Sequence, residues 1–146
     1  MSDYMLDTNV FNRLLDGSVD LVKLAGKLYY ATHIQIDEIR ATRSAERRSK
    51  LENVFSEVLT EQLPTQSFVL DVSRLDEACL SDGELYGELL DRLNQRNKAK
   101  PNNIQDALIA ETALTSGLTL VTEDRDLYQV VIELGGTACG LQDLLV

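Results

Sequence analysis

Hydrophobic and polar residues alternate along the chain in blocks that predict short strands separated by helices. Five runs of three or four residues have the composition and flanking turn signals typical of strands. These runs cover residues 3–6, 28–31, 68–70, 118–121 and 137–139. The run Leu118–Val121 lacks polar alternation, which indicates a strand covered on both faces.

Longer segments with helical periodicity fill most of the remaining sequence. They cover residues 9–16, 19–26, 33–42, 44–62, 74–80, 84–99, 104–116 and 124–134. Thr32 and Gln35 have the spacing of a capping box, which predicts that the third of these helices begins at Thr32. Asn103 and Gly117 are suitable residues for the two ends of helix 104–116. Pro64 is expected to stop the long helix 44–62.

Strands that alternate with helices of this length pair in parallel through crossover connections. We therefore expect an α/β fold, a three-layer α/β/α sandwich around a mainly parallel central sheet. The 146 residues contain no internal repeat or linker, so a single domain spanning residues 1–146 is predicted.

The composition narrows the class of protein. The net charge is −10, from 24 acidic against 14 basic residues, which argues against nucleic-acid binding by bulk electrostatics alone. Cys79 and Cys139 lie far apart without a CxxC pattern, which argues against a disulfide framework or a thiolate metal site. No signal peptide and no apolar run of membrane-spanning length are recognisable, so a cytoplasmic protein without membrane contact is expected.

Two acids follow predicted strands, and two more lie on predicted helices. Asp7 follows the first strand and Asp124 follows Leu118–Val121, where parallel sheets bind their ligands. Asp106 lies in the first turn of helix 104–116, and Glu38 lies in helix 33–42. Taken singly, these residues could be helix caps, a helix-dipole partner and a solvated glutamate.

Taken together, four carboxylates from separated segments would repel one another unless a cation lies between them. An all-oxygen set of ligands suits Mg²⁺ or Mn²⁺ rather than zinc.

The residues around these acids resemble the four acidic motifs of PIN-domain proteins. The motifs are LDTNVF with Asp7, IDEI with Glu38, NIQDALIAETAL with Asp106, and LTLVTEDRDL with Asp124. Their order, spacing and apolar context match over about residues 3–146. Asp37 competes with Glu38 for the second position.

The resemblance implies a ribonuclease that depends on Mg²⁺ or Mn²⁺. It implies that Asp7, Glu38, Asp106 and Asp124 are its catalytic, metal-binding acids, with Asp126 as a further ligand. Thr8, Asn9 and Thr122 would be supporting groups. Stand-alone proteins of this size are commonly VapC-like toxins, so the resemblance also implies a homodimer and a small antitoxin partner.

Nine of the 14 basic residues form two groups, at 40–50 and 92–100. The RNA-binding candidates among them are Arg40, Arg43, Arg47, Arg96 and Lys98. They would hold the RNA backbone on each side of the scissile phosphate. The alternative is that they are solvated helix faces with intrahelical ion pairs.

Other functions fit the sequence less well. A GxGxxG or GxxxxGK[ST] motif is missing, and the only histidine, His33, follows the predicted cap Thr32. A phosphatase of the haloacid-dehalogenase type needs a second aspartate where this chain has Asn9, and a phospho-receiver would have to use Asp71. A catalytically silent PIN-type module that binds RNA or protein stays an alternative. The apolar C-terminal residues would pack into the core or form a dimer contact; they are Leu141, Leu144, Leu145 and Val146.

Overall fold

The structure, a computed structural model, describes residues 3–17, 19–65 and 83–145, and its centre is a five-stranded sheet. The strands are β1 (Asp3–Leu6), β2 (Leu28–Ala31), β3 (Glu61–Gln62), β4 (Thr119–Val121) and β5 (Thr137–Cys139). Their order in the sheet is β3-β2-β1-β4-β5, and every neighbouring pair is parallel. The chain therefore builds the sheet outward from β1 in both directions, which creates a topological switch point between β1 and β4.

Helices connect the strands and cover the sheet. They are α1 (Thr8–Asp16), α2 (His33–Arg40), α3 (Ala45–Val58), α4 (Glu84–Asn97), α5 (Asn103–Thr115), α6 (Arg125–Glu133) and α7 (Leu141–Leu144). A short 3₁₀ helix, Leu21–Leu24, lies where a longer helical stretch was predicted. Among the described residues, no helix has both the length and the apolar character needed to cross a membrane.

Two hydrophobic clusters lie on opposite faces of the sheet, because successive strand residues point in opposite directions. Met5 and Leu120 belong to one cluster, together with apolar side chains of α4, α5 and α6. Leu6 and Val121 belong to the other, together with side chains of α1, α3 and α7. This arrangement confirms the predicted three-layer α/β/α fold. Leu141 and Leu144 are buried in the second cluster, as the core interpretation of the C-terminal residues predicted.

The predicted helix 44–62 is wrong at its C-terminal end. Helix α3 ends at Val58, and Leu59 is extended, with φ −70° and ψ 130°. Thr60 and Leu63 then donate backbone hydrogen bonds to the carbonyls of Tyr29 and Ala31 in β2. The unpaired edge of β2 thus recruits this segment as β3, a tertiary interaction that helical periodicity does not reveal.

Helix α4 also ends earlier than the predicted 84–99. Lys98 and Ala99 both have φ 59°, which is left-handed backbone and incompatible with a continuing helix. The side chain of Asn103 does not cap α5 as predicted; its amide donates hydrogen bonds to Asn94 and Asn97. Asn102 occupies the cap position instead.

Three predicted features lie outside the described residues. They are the strand 68–70, the helix 74–80 and the candidate receiver residue Asp71. Cys79 lies in the same stretch, and Val146, of the predicted C-terminal apolar group, also lies outside the described residues.

Candidate active site

Asp7 lies directly after β1 and is almost wholly buried, with 4% of its surface exposed. Its Oδ1 accepts a hydrogen bond from the Thr8 backbone N–H at 2.8 Å, which makes it the N-cap of α1. Its Oδ2 accepts a 2.7 Å hydrogen bond from the Thr122 hydroxyl. Burial outweighs these two bonds and raises the pKa of Asp7 to about 6. The capping role and a place in a carboxylate site therefore coexist in one residue.

Glu38 reaches the same place from α2. The Thr8 hydroxyl donates a 2.9 Å hydrogen bond to its Oε1, which links α2 to the start of α1. Burial, with a contribution from the charge of Asp7, raises the pKa of Glu38 to about 7. In the competing residue Asp37, Oδ2 instead lies 3.1 Å from Nδ1 of His33. This geometry favours Glu38 as the acid of the second motif.

Asp106 lies in the first turn of α5. Burial raises its pKa to about 8, and the charges of Asp7, Glu38 and Asp124 add to that effect. Lys100 acts in the opposite direction on the same carboxyl. Asp106 thus lies close enough to the other three acids predicted from the sequence to be affected by their charges.

Asp124 is the N-cap of α6. Its Oδ1 accepts hydrogen bonds from the backbone N–H groups of Asp126 at 2.9 Å and Leu127 at 3.2 Å. Its own N–H donates to the Thr122 hydroxyl oxygen at 3.0 Å, and that hydroxyl donates to Asp7. Thr122 therefore couples the loop after β4 to the acid after β1.

Asn9 and Asp126 lie at the margin of this group of acids. The Asn9 side-chain oxygen accepts a hydrogen bond from the Glu123 N–H at 3.2 Å, which ties α1 to the loop after β4. The Asp126 carboxylate accepts a 3.3 Å hydrogen bond from Nε of Arg96. Asp126 is thereby paired with a guanidinium, an arrangement that differs from the predicted role as a metal ligand.

A hard cation fits the chemistry of this donor set. Asp7, Glu38 and Asp106 are oxygen donors whose ionised forms are disfavoured, a penalty that a bound cation would remove. Among the described residues, however, no three Asp, Glu, His or Cys side chains are arranged to hold one ion directly. The fit is therefore to an ion such as Mg²⁺, which keeps several waters and uses one or two carboxylates directly.

The predicted RNA-binding residues divide into two sets. Arg47 donates hydrogen bonds to Asp16 at 2.8 Å and 3.1 Å and to Asn12 at 2.8 Å, and Arg96 is bonded to Asp126 and Glu133. The remaining three, Arg40, Arg43 and Lys98, are exposed and form no ion pair with the described part of the chain. Arg47 and Arg96 are therefore ion-paired, as in the alternative interpretation, but their partners lie on other helices rather than one turn away on the same helix.

Sequence reasoning missed two residues near the acids. Lys100 was counted only within a basic group, yet its charge acts on Asp106. Gln35 was recognised only as part of a capping box, yet its side chain also bonds to the residue before Asp7. The available signal for Gln35 is its position between two apolar residues, Ile34 and Ile36.

A comparison of the sequence with models of protein families decides the family. A family model described as PIN domain matches residues 4–133. The chain belongs to the PIN domain family. PIN domains are generally nucleases that use divalent metal ions.

Solved PIN-like structures share the fold at low sequence identity. A chain from VapBC2 of Rickettsia felis, bound to a promoter DNA fragment, is 21% identical with a TM-score of 0.61. The match covers 94% of this PIN domain chain and 98% of that one. A chain from VapBC-1 of nontypeable Haemophilus influenzae is 17% identical with a TM-score of 0.59, covering 94% and 97%. The PIN domain endonuclease Utp24 is 14% identical with a TM-score of 0.60, covering 95% and 84%. No curated protein matches the sequence.

Proposed function

We propose that this PIN domain protein is an endoribonuclease that hydrolyses RNA phosphodiester bonds with the help of Mg²⁺ or Mn²⁺. The observation that supports the proposal is that the charges of Asp7, Glu38 and Asp124 all act on Asp106, with Asp7 and Asp124 following the strands that flank the switch point. Three of these acids have pKa values raised by burial and mutual repulsion. Strongly perturbed carboxyls in one place are typical of functional sites.

Asp7, Asp106 and Asp124 would hold the metal ion directly or through water, and Glu38 would bind a second ion or orient the attacking water. The metal ion would lower the pKa of water and neutralise charge on the phosphate. Thr122 would keep the Asp7 carboxylate oriented through its 2.7 Å hydrogen bond. Thr8 would do the same for Glu38 through its 2.9 Å hydrogen bond.

The protein's own charge would oppose RNA binding, because its net charge is −10. We propose that the exposed residues Arg40, Arg43 and Lys98 contact the RNA backbone, since Arg47 and Arg96 are already bonded to acids. Arg47 and Arg96 would contribute only by exchanging those partners for phosphate. Phosphate contacts of this kind position a substrate without reading its sequence.

We further propose that the protein is the toxin of a toxin–antitoxin pair, that it forms a homodimer, and that a small antitoxin restrains it. Support comes from the fold shared with chains of two VapBC structures over nearly the full length of each chain. At 21% and 17% identity the likeness supports the fold, so the partner needs its own test. Coexpression with the product of a neighbouring small reading frame, followed by copurification, would provide it.

The test of the enzymatic proposal is cleavage of a mixed pool of tRNAs and structured RNAs. The wild-type protein is assayed with Mg²⁺, with Mn²⁺ and with EDTA, in parallel with Asp7→Asn and Asp106→Asn. We expect cleavage that needs the metal ion and falls by about a hundredfold or more in both variants. A matched control is Asp3→Asn, which changes a partly exposed aspartate at the opposite end of β1 from Asp7.

Each outcome separates the proposals. Metal-dependent cleavage that both site variants lose, and that Asp3→Asn keeps, supports the carboxylate nuclease. Cleavage that survives both site substitutions contradicts the assignment of these acids. RNA binding without cleavage, unaffected by EDTA and by Asp7→Asn, would favour the catalytically silent module instead.

A further inference from the structure

Gln35 is a wholly buried side chain in the first turn of α2 whose amide is bonded at both ends. Its Oε1 accepts hydrogen bonds from the Thr32 backbone N–H at 2.9 Å and from the Thr32 hydroxyl at 2.6 Å. Its Nε2 donates to the Leu6 carbonyl at 2.9 Å and to the Met5 sulfur at 3.3 Å. A capping box needs only the bond to the Thr32 N–H, so the bond to Leu6 is additional.

The two backbone groups that Gln35 joins lie at the ends of neighbouring strands: Leu6 is the last residue of β1, and Thr32 directly follows β2. Strands β1 and β2 are paired up to Met5 and Tyr30, so Leu6 and Ala31 would be the next pair. The Asp7 N–H bonds to Val121 of β4. Because alternate residues of a strand bond to opposite neighbours, the backbone of Leu6 faces β2. The next rung of the parallel ladder would therefore run from the Thr32 N–H to the Leu6 carbonyl.

The Gln35 amide occupies the place of that rung. It accepts from the Thr32 N–H and donates to the Leu6 carbonyl, so both backbone groups stay satisfied while the strands separate. Asp7 follows Leu6 in one chain segment, and α2, which contains Glu38, follows Thr32 in the other. Glu38 lies one turn beyond Gln35 and accepts the Thr8 hydroxyl. Two side-chain bonds, Gln35 to Leu6 and Thr8 to Glu38, thus join the same two segments.

We propose that Gln35 is a positioning residue that spaces the carboxylates of Asp7 and Glu38 by replacing one backbone rung with a side-chain amide. The rung would otherwise draw the ends of β1 and β2 together at the edge where these acids lie. The inserted amide, which bridges the Thr32 N–H and the Leu6 carbonyl, would leave room between the two segments for a cation and its waters. The inference rests on the proposed function, because it assigns Gln35 an effect on metal binding at that site.

The test compares Gln35→Met with Tyr29→Phe. Methionine keeps the length of glutamine and loses the bonds to Thr32 and Leu6. Tyr29→Phe also removes one buried side-chain bond in the β2 region, from the Tyr29 hydroxyl to the Leu24 carbonyl, away from the acids. Circular dichroism and thermal unfolding establish that each variant is folded at the assay temperature. Gln35→Asn, whose amide is too short to bridge the two backbone groups, replaces Gln35→Met if the latter does not fold.

The main measurement is Mn²⁺ affinity, followed by electron paramagnetic resonance of the free ion. We expect Gln35→Met to bind Mn²⁺ about tenfold more weakly, the size of effect typical of groups that orient metal ligands. Tyr29→Phe is expected to bind Mn²⁺ within about twofold of wild type, since distant substitutions act independently. A double-mutant cycle with Glu38→Gln then asks whether Gln35 acts through Glu38. The affinity loss caused by Gln35→Met should largely disappear when Glu38 is already changed.

The outcomes distinguish this inference from the proposed function. If wild type and Asp7→Asn bind Mn²⁺ equally, the metal site itself is wrong. If Asp7→Asn loses Mn²⁺ affinity while folded Gln35→Met or Gln35→Asn keeps it, the metal site stands and the role of Gln35 is overturned. Equal losses in Gln35→Met and Tyr29→Phe, or losses that add fully to that of Glu38→Gln, would also overturn it, since they indicate a general structural effect.

Discussion

Acidic residues in this protein occur in two contrasting settings. On the outer face, Glu88, Glu133 and Asp126 are bonded to Arg92 and Arg96, at distances from 3.0 Å to 3.4 Å. These side chains are partly exposed and tie α4 to α6. At the edge of the sheet, the charge of Asp7 acts on Glu38, and both act on Asp106. None of these three acids has an ion pair within the described residues.

The difference between the two settings is one of charge compensation. On the outer face each carboxylate has an arginine partner, and solvent screens the remaining charge. At the sheet edge, burial and mutual repulsion favour the protonated acids, and Lys100 offsets this only at Asp106. A fold that retains such a group loses stability there, which is common at functional sites. The uncompensated setting, rather than the number of acids, is what distinguishes the candidate site.

The largest expected effect is on RNA cleavage, and it is tested by changing one glutamate in each setting. Glu38→Gln should lower metal-dependent RNA cleavage by about a hundredfold, because a group that acts on the metal or the attacking water loses its charge. Glu133→Gln should change cleavage by no more than about twofold, since exposed ion pairs contribute little. Initial rates on the same RNA, at saturating Mg²⁺, provide the measurement.

One outcome for this pair of variants would contradict the contrast between the two settings. If Glu133→Gln lowered cleavage as much as Glu38→Gln while both proteins stayed folded, the outer network would belong to the functional surface. Glu88→Gln is a second control on the outer face, because Glu88 bonds to the same Arg92.

A smaller effect is expected on stability as the pH changes. The pKa values of Asp7, Glu38 and Asp106 are raised to about 6, 7 and 8 from ordinary values of 3.8, 4.5 and 3.8. Below the ordinary values both folded and unfolded chains hold these protons, so the contribution to stability is complete. As the pH rises to about 8, the unfolded chain ionises first, and the metal-free protein should lose stability.

Urea unfolding in EDTA, repeated at intervals of about one pH unit from about pH 5 to about pH 8, would measure this trend. Asp106→Asn should flatten the profile most, because Asp106 has the largest shift. Adding Mg²⁺ at the upper end should restore stability, since the ion binds the ionised acids of the folded state only. A metal-free profile that rises across this range would contradict the assigned direction of the shifts.

The smallest effect is expected on the outer face. Arg92→Ala removes the bonds to Glu88 and Glu133, and its cost to the free energy of unfolding should be about 1 kcal/mol or less. Urea unfolding measures it, and high salt should reduce the difference between variant and wild type. A cost that is large and independent of salt would mean that the two settings differ less than their exposure suggests.

Much of the fold followed from local patterns. The capping box of Thr32 and Gln35 and the strand Leu28–Ala31 are found where the sequence placed them. Local rules failed where a distant partner decided the outcome, as at Glu61–Gln62, which the free edge of β2 turned from helix into strand. The Asn94, Asn97 and Asn103 side chains likewise bond to one another rather than to the nearest helix end.

The candidate site shows the same division. Asp7, Glu38, Asp106 and Asp124 could be singled out because motif order and the ends of predicted strands are properties of the sequence. The pairing of Asp126 with Arg96 could not, because 30 positions separate the two residues and only the packing of α4 against α6 joins them.

By itself, the sequence determined that strands alternate with helices, that two acids follow strands and that two lie on helices, since periodicity and capping act over a few residues. Only the tertiary structure decided which charges are compensated and which are not. It also decided that the Gln35 amide stands between Thr32 and Leu6. Burial and hydrogen-bond partners across the sheet depend on segments that are distant in sequence, and the energies of the acids depend on both.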